Sequence, residues 1–224
     1  TAAEINLIDG QTARGTTAIA DGDGLLVNDA GTMRMTTVQT VKTYMTAGVG
    51  GGSTEFIASS GAISNAASAA FTQFDSSKYD AYAFYYYYVI PATDNVFFVW
   101  NSSTDGGSSY AESNGDYKYG SDAGGTNVPY GYVESSHSIG SDTGEYGITG
   151  AVQLMHPHNT STQKILQHIS GPSYYRTSGV LVQQTQTSGM SYTTATTDID
   201  AIRFKFSSGN IESGEIVMYG IKNS

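Results

Sequence analysis

The sequence predicts an all-β protein: a jelly-roll-like β-sandwich preceded by a small module made of a β-hairpin and a short helix. Short runs rich in aromatic and β-branched residues recur between clusters of Gly, Asn, Asp and Pro, and about eight of them follow residue 54. Helical periodicity is limited to one stretch near residue 40. The composition agrees, since the chain has 27 Gly and 17 Tyr but only 13% charged residues, against about 25% in an average soluble protein.

The first 47 residues predict an anchoring and oligomerisation module. A turn cluster at residues 21–24 precedes the apolar run Leu25-Leu26-Val27, and a second turn cluster at residues 28–31 leads to the alternating residues 33–35. Two short runs around an Asn/Asp/Gly turn are typical of a β-hairpin. Thr36 or Thr37 can then cap a short helix, because a hydroxyl oxygen accepts the unpaired N–H groups of a first helical turn.

This N-terminal helix cannot be stable on its own. It is only about two to three turns long, which is too short for a helix in water, and so small a unit buries too little apolar surface to fold alone. We therefore expect it to pack on the hairpin or on another chain. The candidate assembly residues are Leu25, Leu26, Val27, Val38, Val41 and Tyr44.

Residues 48–53 are a Gly-rich hinge by composition, and residues 54–224 predict the sandwich. Strands are expected at residues 79–90, 96–100, 146–155, 164–169, 180–186, 199–206 and 215–221, while residues 101–125 form a polar tract with turn signals. Both faces of the stretch 79–90 are apolar, which is typical of a central strand or of a subunit interface. Strict alternation would place Tyr82, Phe84, Tyr86, Tyr88 and Ile90 on one face and Ala83, Tyr85, Tyr87 and Val89 on the other.

Composition and charge exclude several classes of partner. The formal net charge is −10, with ten Lys and Arg in the whole chain, which leaves no basic stripe for a nucleic acid. The absence of cysteine excludes a disulfide scaffold and a thiolate metal site. The longest apolar stretch is about half the length of a membrane-spanning helix, and no signal-peptide pattern is present. We expect neither a nucleic acid nor a membrane as partner.

Three patterns in the sequence are candidate chemical sites. Seven acidic residues between positions 105 and 145 could supply a glycosidase carboxylate pair or could stabilise turns. Asp21-Gly22-Asp23-Gly24 begins like a calcium loop, but Thr32 stands where an EF-hand needs Glu. His156-Pro157-His158 could gather a metal ion on a trimer axis or could be polar loop residues. No spacing singles out a catalytic pair, so we expect no enzymatic activity and no cofactor, with His156 and His158 as the metal candidates.

Several stretches carry a family resemblance. They are Ile19-Ala20-Asp21-Gly22-Asp23-Gly24 with residues 25–31 and 37–44, and later Tyr79-Asp80-Ala81-Tyr82, residues 89–94, 103–110 and 202–211, and Tyr219-Gly220-Ile221. In these stretches the chain resembles structural proteins of tailed-bacteriophage virions, of the tail-fibre and head-appendage type found in marine phages and cyanophages. The resemblance implies a virion location and a homotrimer that contacts other tail or capsid proteins.

The resemblance leaves three functions open. The first is a trimeric short fibre or fibre knob that projects the sandwich for assembly and for adhesion to a host-surface glycan. The second is a capsid decoration protein, which would bind the capsid exterior and stabilise it. The third is a glycan-cleaving depolymerase, although such enzymes usually carry a long β-helix and this sequence does not.

Tyrosines in Gly-rich polar segments are the candidate ligand surface. Tyrosine offers a large contact area and a hydroxyl at low entropic cost, which suits recognition of a saccharide or of another protein. The same rings could instead cover loops or fill a trimer interface. The candidates are Tyr117, Tyr119, Tyr130, Tyr132, Tyr174 and Tyr175.

Overall fold

The structure is a computed structural model of the chain. It describes residues 16–48, 53–119, 125–133, 138–177, 180–186 and 190–222. For residues 46–48, 168–177, 180–186 and 190–192 it describes the backbone alone. Two compact units divide the chain, Thr1–Gly52 and Ser53–Ser224.

Strands dominate the described residues, which contain one helix, α1 (Val38–Gly48). In the first unit lie β1 (Gly24–Asp29) and β2 (Thr32–Thr37). The second unit contains β3 (Thr54–Ser59), β4 (Ile63–Ala66), β5 (Ala69–Phe71), β6 (Tyr79–Pro91), β7 (Phe98–Ser103), β8 (Tyr117–Tyr119), β9 (Thr126–Val128), β10 (Gly131–Tyr132), β11 (Ile148–Met155), β12 (Ile165–Thr177), β13 (Val180–Gln186), β14 (Met190–Thr193), β15 (Ala201–Phe206) and β16 (Ile211–Lys222).

The first unit has the predicted hairpin and helix. Strands β1 and β2 pair antiparallel, from Gly24 opposite Thr37 to Asp29 opposite Thr32. The two loop residues between them have positive φ, 49° at Ala30 and 91° at Gly31, as a type I′ turn requires. The hydroxyl of Thr37 accepts the N–H of Thr40 at 3.2 Å. Thr37, rather than Thr36, is therefore the N-cap of α1.

The second unit is a sandwich of two antiparallel sheets, which confirms the predicted all-β fold. The larger sheet has the order β3-β16-β6-β11-β12-β14-β8-β9, with β4 also paired to β16 and β13 to β12. The smaller sheet has the order β10-β7-β15-β5. Aromatic rings join the two sheets: Phe84 of β6 lies 5.0 Å from Phe204 of β15, and Tyr86 of β6 lies 5.5 Å from Phe98 of β7. The core therefore lies between the sheets.

Strand pairs in the second unit are nested along the chain. The pairs are β6 with β16, β7 with β15, β8 with β14 and β11 with β12. This nesting arises when a long two-stranded ribbon folds over on itself, which is how a jelly roll is built. The pair β7–β15 lies in the smaller sheet and the other three pairs lie in the larger one.

A bulge in β6 interrupts the alternation expected from the sequence. Tyr88 has a φ of 47°, and beyond it the register with β11 and β16 shifts. Tyr88 is consequently exposed while Val89 is fully buried, so the predicted faces of these two residues were wrong. Gly214 of β16, at φ 130°, makes room for the bulge, because a Cβ there would lie 2.7 Å from the Cα of Val89.

Candidate functional site

The first unit presents apolar side chains to its surroundings instead of burying them. Among its described side chains, residues 16–45, none is buried, and Val27, Val38 and Val41 of the predicted assembly set are half-buried. The other three predicted residues, Leu25, Leu26 and Tyr44, are exposed. The other large apolar side chains exposed among residues 16–45 are Ile19, Met33, Met35 and Met45.

One face of the hairpin concentrates this apolar surface. Leu26 lies directly opposite Met35, and Met33 lies opposite Asn28 on the same side of the ribbon. The Met35 side chain extends over Gly24, where a Cβ would lie 2.8 Å from its sulfur. Leu26, Met33 and Met35, called here the hairpin patch, are 52%, 57% and 71% exposed. A two-stranded hairpin with such a patch is at best marginally stable until the patch is covered.

Tyr117 is a core residue, so its prediction as part of a ligand surface was wrong. It is fully buried, and its ring packs edge-on against Trp100 at 5.1 Å. Its hydroxyl accepts the N–H of Ser102 at 2.7 Å and donates to the carbonyl of Ala111 at 3.2 Å. Burial raises the pKa of Tyr117. The polar residues beside Tyr117 in the sequence gave no indication of the short strand β8, which places the Tyr117 ring in the core.

Tyr119, Tyr130 and Tyr132 form an aromatic cluster. Tyr132 lies 4.8 Å from Tyr119 and 5.4 Å from Tyr130, both edge-on, and 5.3 Å from Phe97. All three tyrosines are half-buried, and burial raises the pKa of Tyr132 to about 12. The structure thus brings these three predicted residues together, mainly in contact with one another. Tyr174 and Tyr175 belong to β12, but their side chains lie outside the described part of the structure.

The two candidate metal-binding histidines have different surroundings. His158 places Nδ1 2.8 Å from a carboxylate oxygen of Asp198 and Nε2 3.3 Å from the hydroxyl of Tyr82. Both ring nitrogens are therefore engaged within the chain, whereas His156 is exposed and has a φ of 45°. Within the described ranges, no group of three or more His, Asp or Glu side chains is arranged to hold a metal ion.

A buried lysine, which no sequence pattern indicated, holds the loops beside His158 in place. Lys164 is fully buried, and its ammonium donates to the backbone carbonyls of Asn159, of Thr162 at 2.9 Å and of Thr196 at 3.0 Å. Burial lowers the pKa of Lys164, and the negative charge of Asp198 opposes that shift. Together with His158, this lysine fixes the position of residues 194–198.

Residues 193–199 form one wall of a cleft of about 250 Å³. The opposite walls come from the end of β7 and the loop after it, Ser102, Ser103, Thr104, Ser109, Tyr110 and Ala111, with Asp116 between them. Hydrogen bonds hold the walls in place. Thr194 donates its N–H to the carbonyl of Asp116 at 2.8 Å, and Ala111 donates its N–H to that of Ser102 at 2.9 Å.

Charged groups around the cleft are paired. The guanidinium of Arg203 lies 4.3 Å from the ring centroid of Tyr110 and contacts Glu112 at 2.5 Å. Glu112 also binds Lys205 at 2.6 Å, and the hydrogen bond from Lys205 is the main reason that its pKa is lowered.

Asp105 has a structural role in its turn. It accepts hydrogen bonds from the hydroxyl and N–H of Ser109, and these bonds lower its pKa to about 2. Asp116 accepts the N–H of Ser113 at 2.7 Å. Asp105 and Asp116 therefore fit the turn-stabilising interpretation better than that of a catalytic pair, and Glu112 is held in ion pairs. Asp122 and Glu134 lie outside the described residues.

Comparisons with known proteins assign no family. No family model, no curated protein and no solved structure matches the chain. Within the described part of the chain, no helix combines the length and the apolar character needed to cross a membrane.

Proposed function

We propose that this chain is a structural component of a tailed-phage virion, a trimeric short fibre or fibre knob. In this role the N-terminal unit joins the chain to its own copies and to neighbouring virion proteins, and the sandwich projects outward for adhesion to the host surface. The work is non-covalent and requires no cofactor.

The observation that carries the assembly role is the apolar surface of the first unit. None of its described side chains is buried, and seven large apolar ones are exposed: Ile19, Leu25, Leu26, Met33, Met35, Tyr44 and Met45. Apolar surface of this kind marks an interaction site in a folded protein, and burying it yields about 25 cal/mol per Å². A closed cyclic oligomer covers the same patch on every copy.

The second unit has the properties that a projected domain needs. Its core is large and aromatic, with Trp100, Tyr82 and Phe204 fully buried, and the described acidic residues near the cleft are engaged in turns or ion pairs. Such a unit can hold surface loops in fixed positions for recognition.

The sequence resemblance in residues 19–31, 37–44, 79–82, 89–94, 103–110, 202–211 and 219–221 is what supports the virion as its location.

Locating the chain in a particle tests this proposal. Antibodies against the purified chain, applied to virions of the phage that encodes it, should label the tail at a few copies per particle in multiples of three. Labelling over the whole head, at tens to hundreds of copies, would replace the fibre with the capsid decoration alternative. Unlabelled particles that contain no copy of the chain by mass spectrometry would overturn the virion assignment itself.

A further inference from the structure

We propose that the cleft between residues 102–111 and 193–199 binds one sugar unit of a polysaccharide. This inference rests on the adhesion role proposed above and assigns that role to particular residues. These residues are not the tyrosine cluster that the sequence suggested.

The size of the cleft limits its occupant. Sites for drug-sized ligands occupy about 300–1,000 Å³, and this cleft measures about 250 Å³. It therefore suits a ligand of a single ring, and its opening to solvent allows neighbouring units of a longer chain to extend outward. A folded partner protein would instead need a broad contact surface of about 800 Å² on each side.

The polar lining matches a polyhydroxyl ligand. Thr104 and Thr197 are exposed residues of the cleft, and a threonine hydroxyl both donates and accepts hydrogen bonds, as each sugar hydroxyl does. Asp116 adds a half-buried carboxylate, which only accepts. One of its oxygens binds the N–H of Ser113 at 2.7 Å, and two carboxylate oxygens offer about four acceptor positions in all. Asp116 can therefore also accept hydrogen bonds from the hydroxyls of a ligand.

An aromatic wall completes the site. Tyr110 lines the cleft, and the C–H groups on one face of a pyranose ring pack on aromatic rings of this kind. Arg203 lies against the Tyr110 ring, 4.3 Å from its centroid, and the ion pair of Arg203 with Glu112 holds it there. Ile199 and Ala111 supply an apolar part of the lining. The combination of one ring, one carboxylate and several hydroxyls favours a sugar over a hydrophobic ligand.

The charge of the cleft limits which kinds of sugar it can bind. Among its described lining residues Asp116 is the one carboxylic acid, and none is Lys or Arg. A phosphate or sulfate group would face this carboxylate, and the guanidinium of Arg203 against the Tyr110 ring is already paired with Glu112. The sugar is accordingly expected to be neutral or to carry an amino group.

The walls of the cleft are built in advance of binding. Lys164 holds the carbonyl of Thr196 at 3.0 Å, Ile199 donates its N–H to Pro157 at 3.0 Å, and Ser109 is bound by Asp105. A site held in this way loses little conformational entropy on binding.

A second cleft, of about 240 Å³, lies among Thr54, Tyr85, Tyr87 and Tyr219 on the outer face of the larger sheet. It offers aromatic rings without a carboxylate. This difference makes Tyr87 a suitable control, because it is an exposed tyrosine outside the proposed site.

Binding of the full chain to an array of purified bacterial surface polysaccharides tests the proposal. Saturation-transfer NMR with glucose, galactose and N-acetylglucosamine gives a second readout. We expect binding that D116N weakens about tenfold or more, since a hydrogen bond to a charged group contributes on the order of a factor of ten. Y110A should also weaken it, because the ring on which the sugar packs is removed. T197V, which replaces a hydroxyl by a methyl group, should weaken it severalfold, and Y87A and Y130A should leave it unchanged.

The outcomes separate this inference from the virion assignment. D116N and T197V keep the shape of the side chain, so an unchanged melting temperature with lost binding supports the cleft. Wild-type binding that survives all three cleft variants, or is lost in Y130A instead, overturns the cleft while leaving the virion role intact. No binding to any probe also overturns the cleft, whereas labelling of virions by antibody tests the assembly role independently.

Discussion

Replacing Lys164 with methionine should destabilise the sandwich strongly. The ammonium is fully buried and donates to three backbone carbonyls, those of Asn159, Thr162 and Thr196. K164M leaves these carbonyls without their donor, and a hydrogen bond to a charged group contributes about 1.5–3 kcal/mol. Part of this cost is offset because burying the ammonium is itself unfavourable, as its lowered pKa indicates. We therefore expect a loss of about 3 kcal/mol of unfolding free energy.

Urea unfolding followed by the fluorescence of Trp100, the one tryptophan, measures this loss. At about 2–4 °C per kcal/mol for a domain of this size, the melting temperature should fall by about 6–12 °C. The matched control is K78M, because Lys78 is exposed and pairs with Asp75 at 3.6 Å, a surface contact that solvent screens and that contributes little to stability. Equal stabilities of K164M and K78M would refute the argument that the buried ammonium holds the loops together.

Three further predictions concern pH and the bulge. Asp105 has a pKa of about 2 in the folded chain against 3.8 ordinarily. Its contribution to the unfolding free energy should therefore be lost as pH falls from about 4 to about 2. In urea titrations, D105N should remove this part of the acid dependence. Burial raises the pKa of Tyr82 and Tyr132 from 10 to about 12. Because the unfolded chain loses these protons first, the unfolding free energy should fall as pH rises above about 10. An unfolding free energy that stays constant between pH 10 and 12 would contradict the burial of these hydroxyls. Y88G should be neutral or stabilising by up to about 1 kcal/mol in thermal unfolding, because glycine accepts the positive φ without strain. A loss of more than about 2 kcal/mol of unfolding free energy would show that the contacts of the Tyr88 side chain outweigh the backbone strain.

Apolar runs in the sequence were enough to predict the central strands. The predicted stretches 79–90 and 180–186 coincide closely with β6 and β13, and in β15 Ile202, Phe204 and Phe206 are buried while Arg203 and Lys205 are half-buried, as alternation requires. The run 164–169 detected only the start of β12, which continues to Thr177.

The polar strands could not be predicted in the same way. Asn101, Ser102 and Ser103 were assigned to a tract of turns, yet they are buried in β7. Their polar groups find partners far along the chain, since Asn101 donates to the carbonyls of Ala111 and Pro129 and Ser102 binds the hydroxyl of Tyr117. Burial of polar side chains depends on such partners, which local patterns do not reveal.

The candidate sites also differ in how far local sequence patterns predict them. The hairpin and the helix after it follow from local turn and cap signals, so the sequence was informative there, while the assembly role of their apolar residues stays a prediction. The cleft is built from residues 102–116 and 193–199, segments about eighty residues apart that meet because β8 pairs with β14. Tyr110 is one of several tyrosines in polar segments, and nothing in the sequence places it beside Thr197 and Asp116.

Sedimentation equilibrium of the full chain at micromolar concentration tests the central claim, that the first unit joins copies of this protein. The account predicts three times the 23.6 kDa of one chain. It also predicts that L26E with M35E, which places two charges on the hairpin patch, shifts the mass toward one chain, while Y87E on the sandwich does not. A wild-type mass of 23.6 kDa, or a trimer that L26E/M35E leaves intact, would contradict the account.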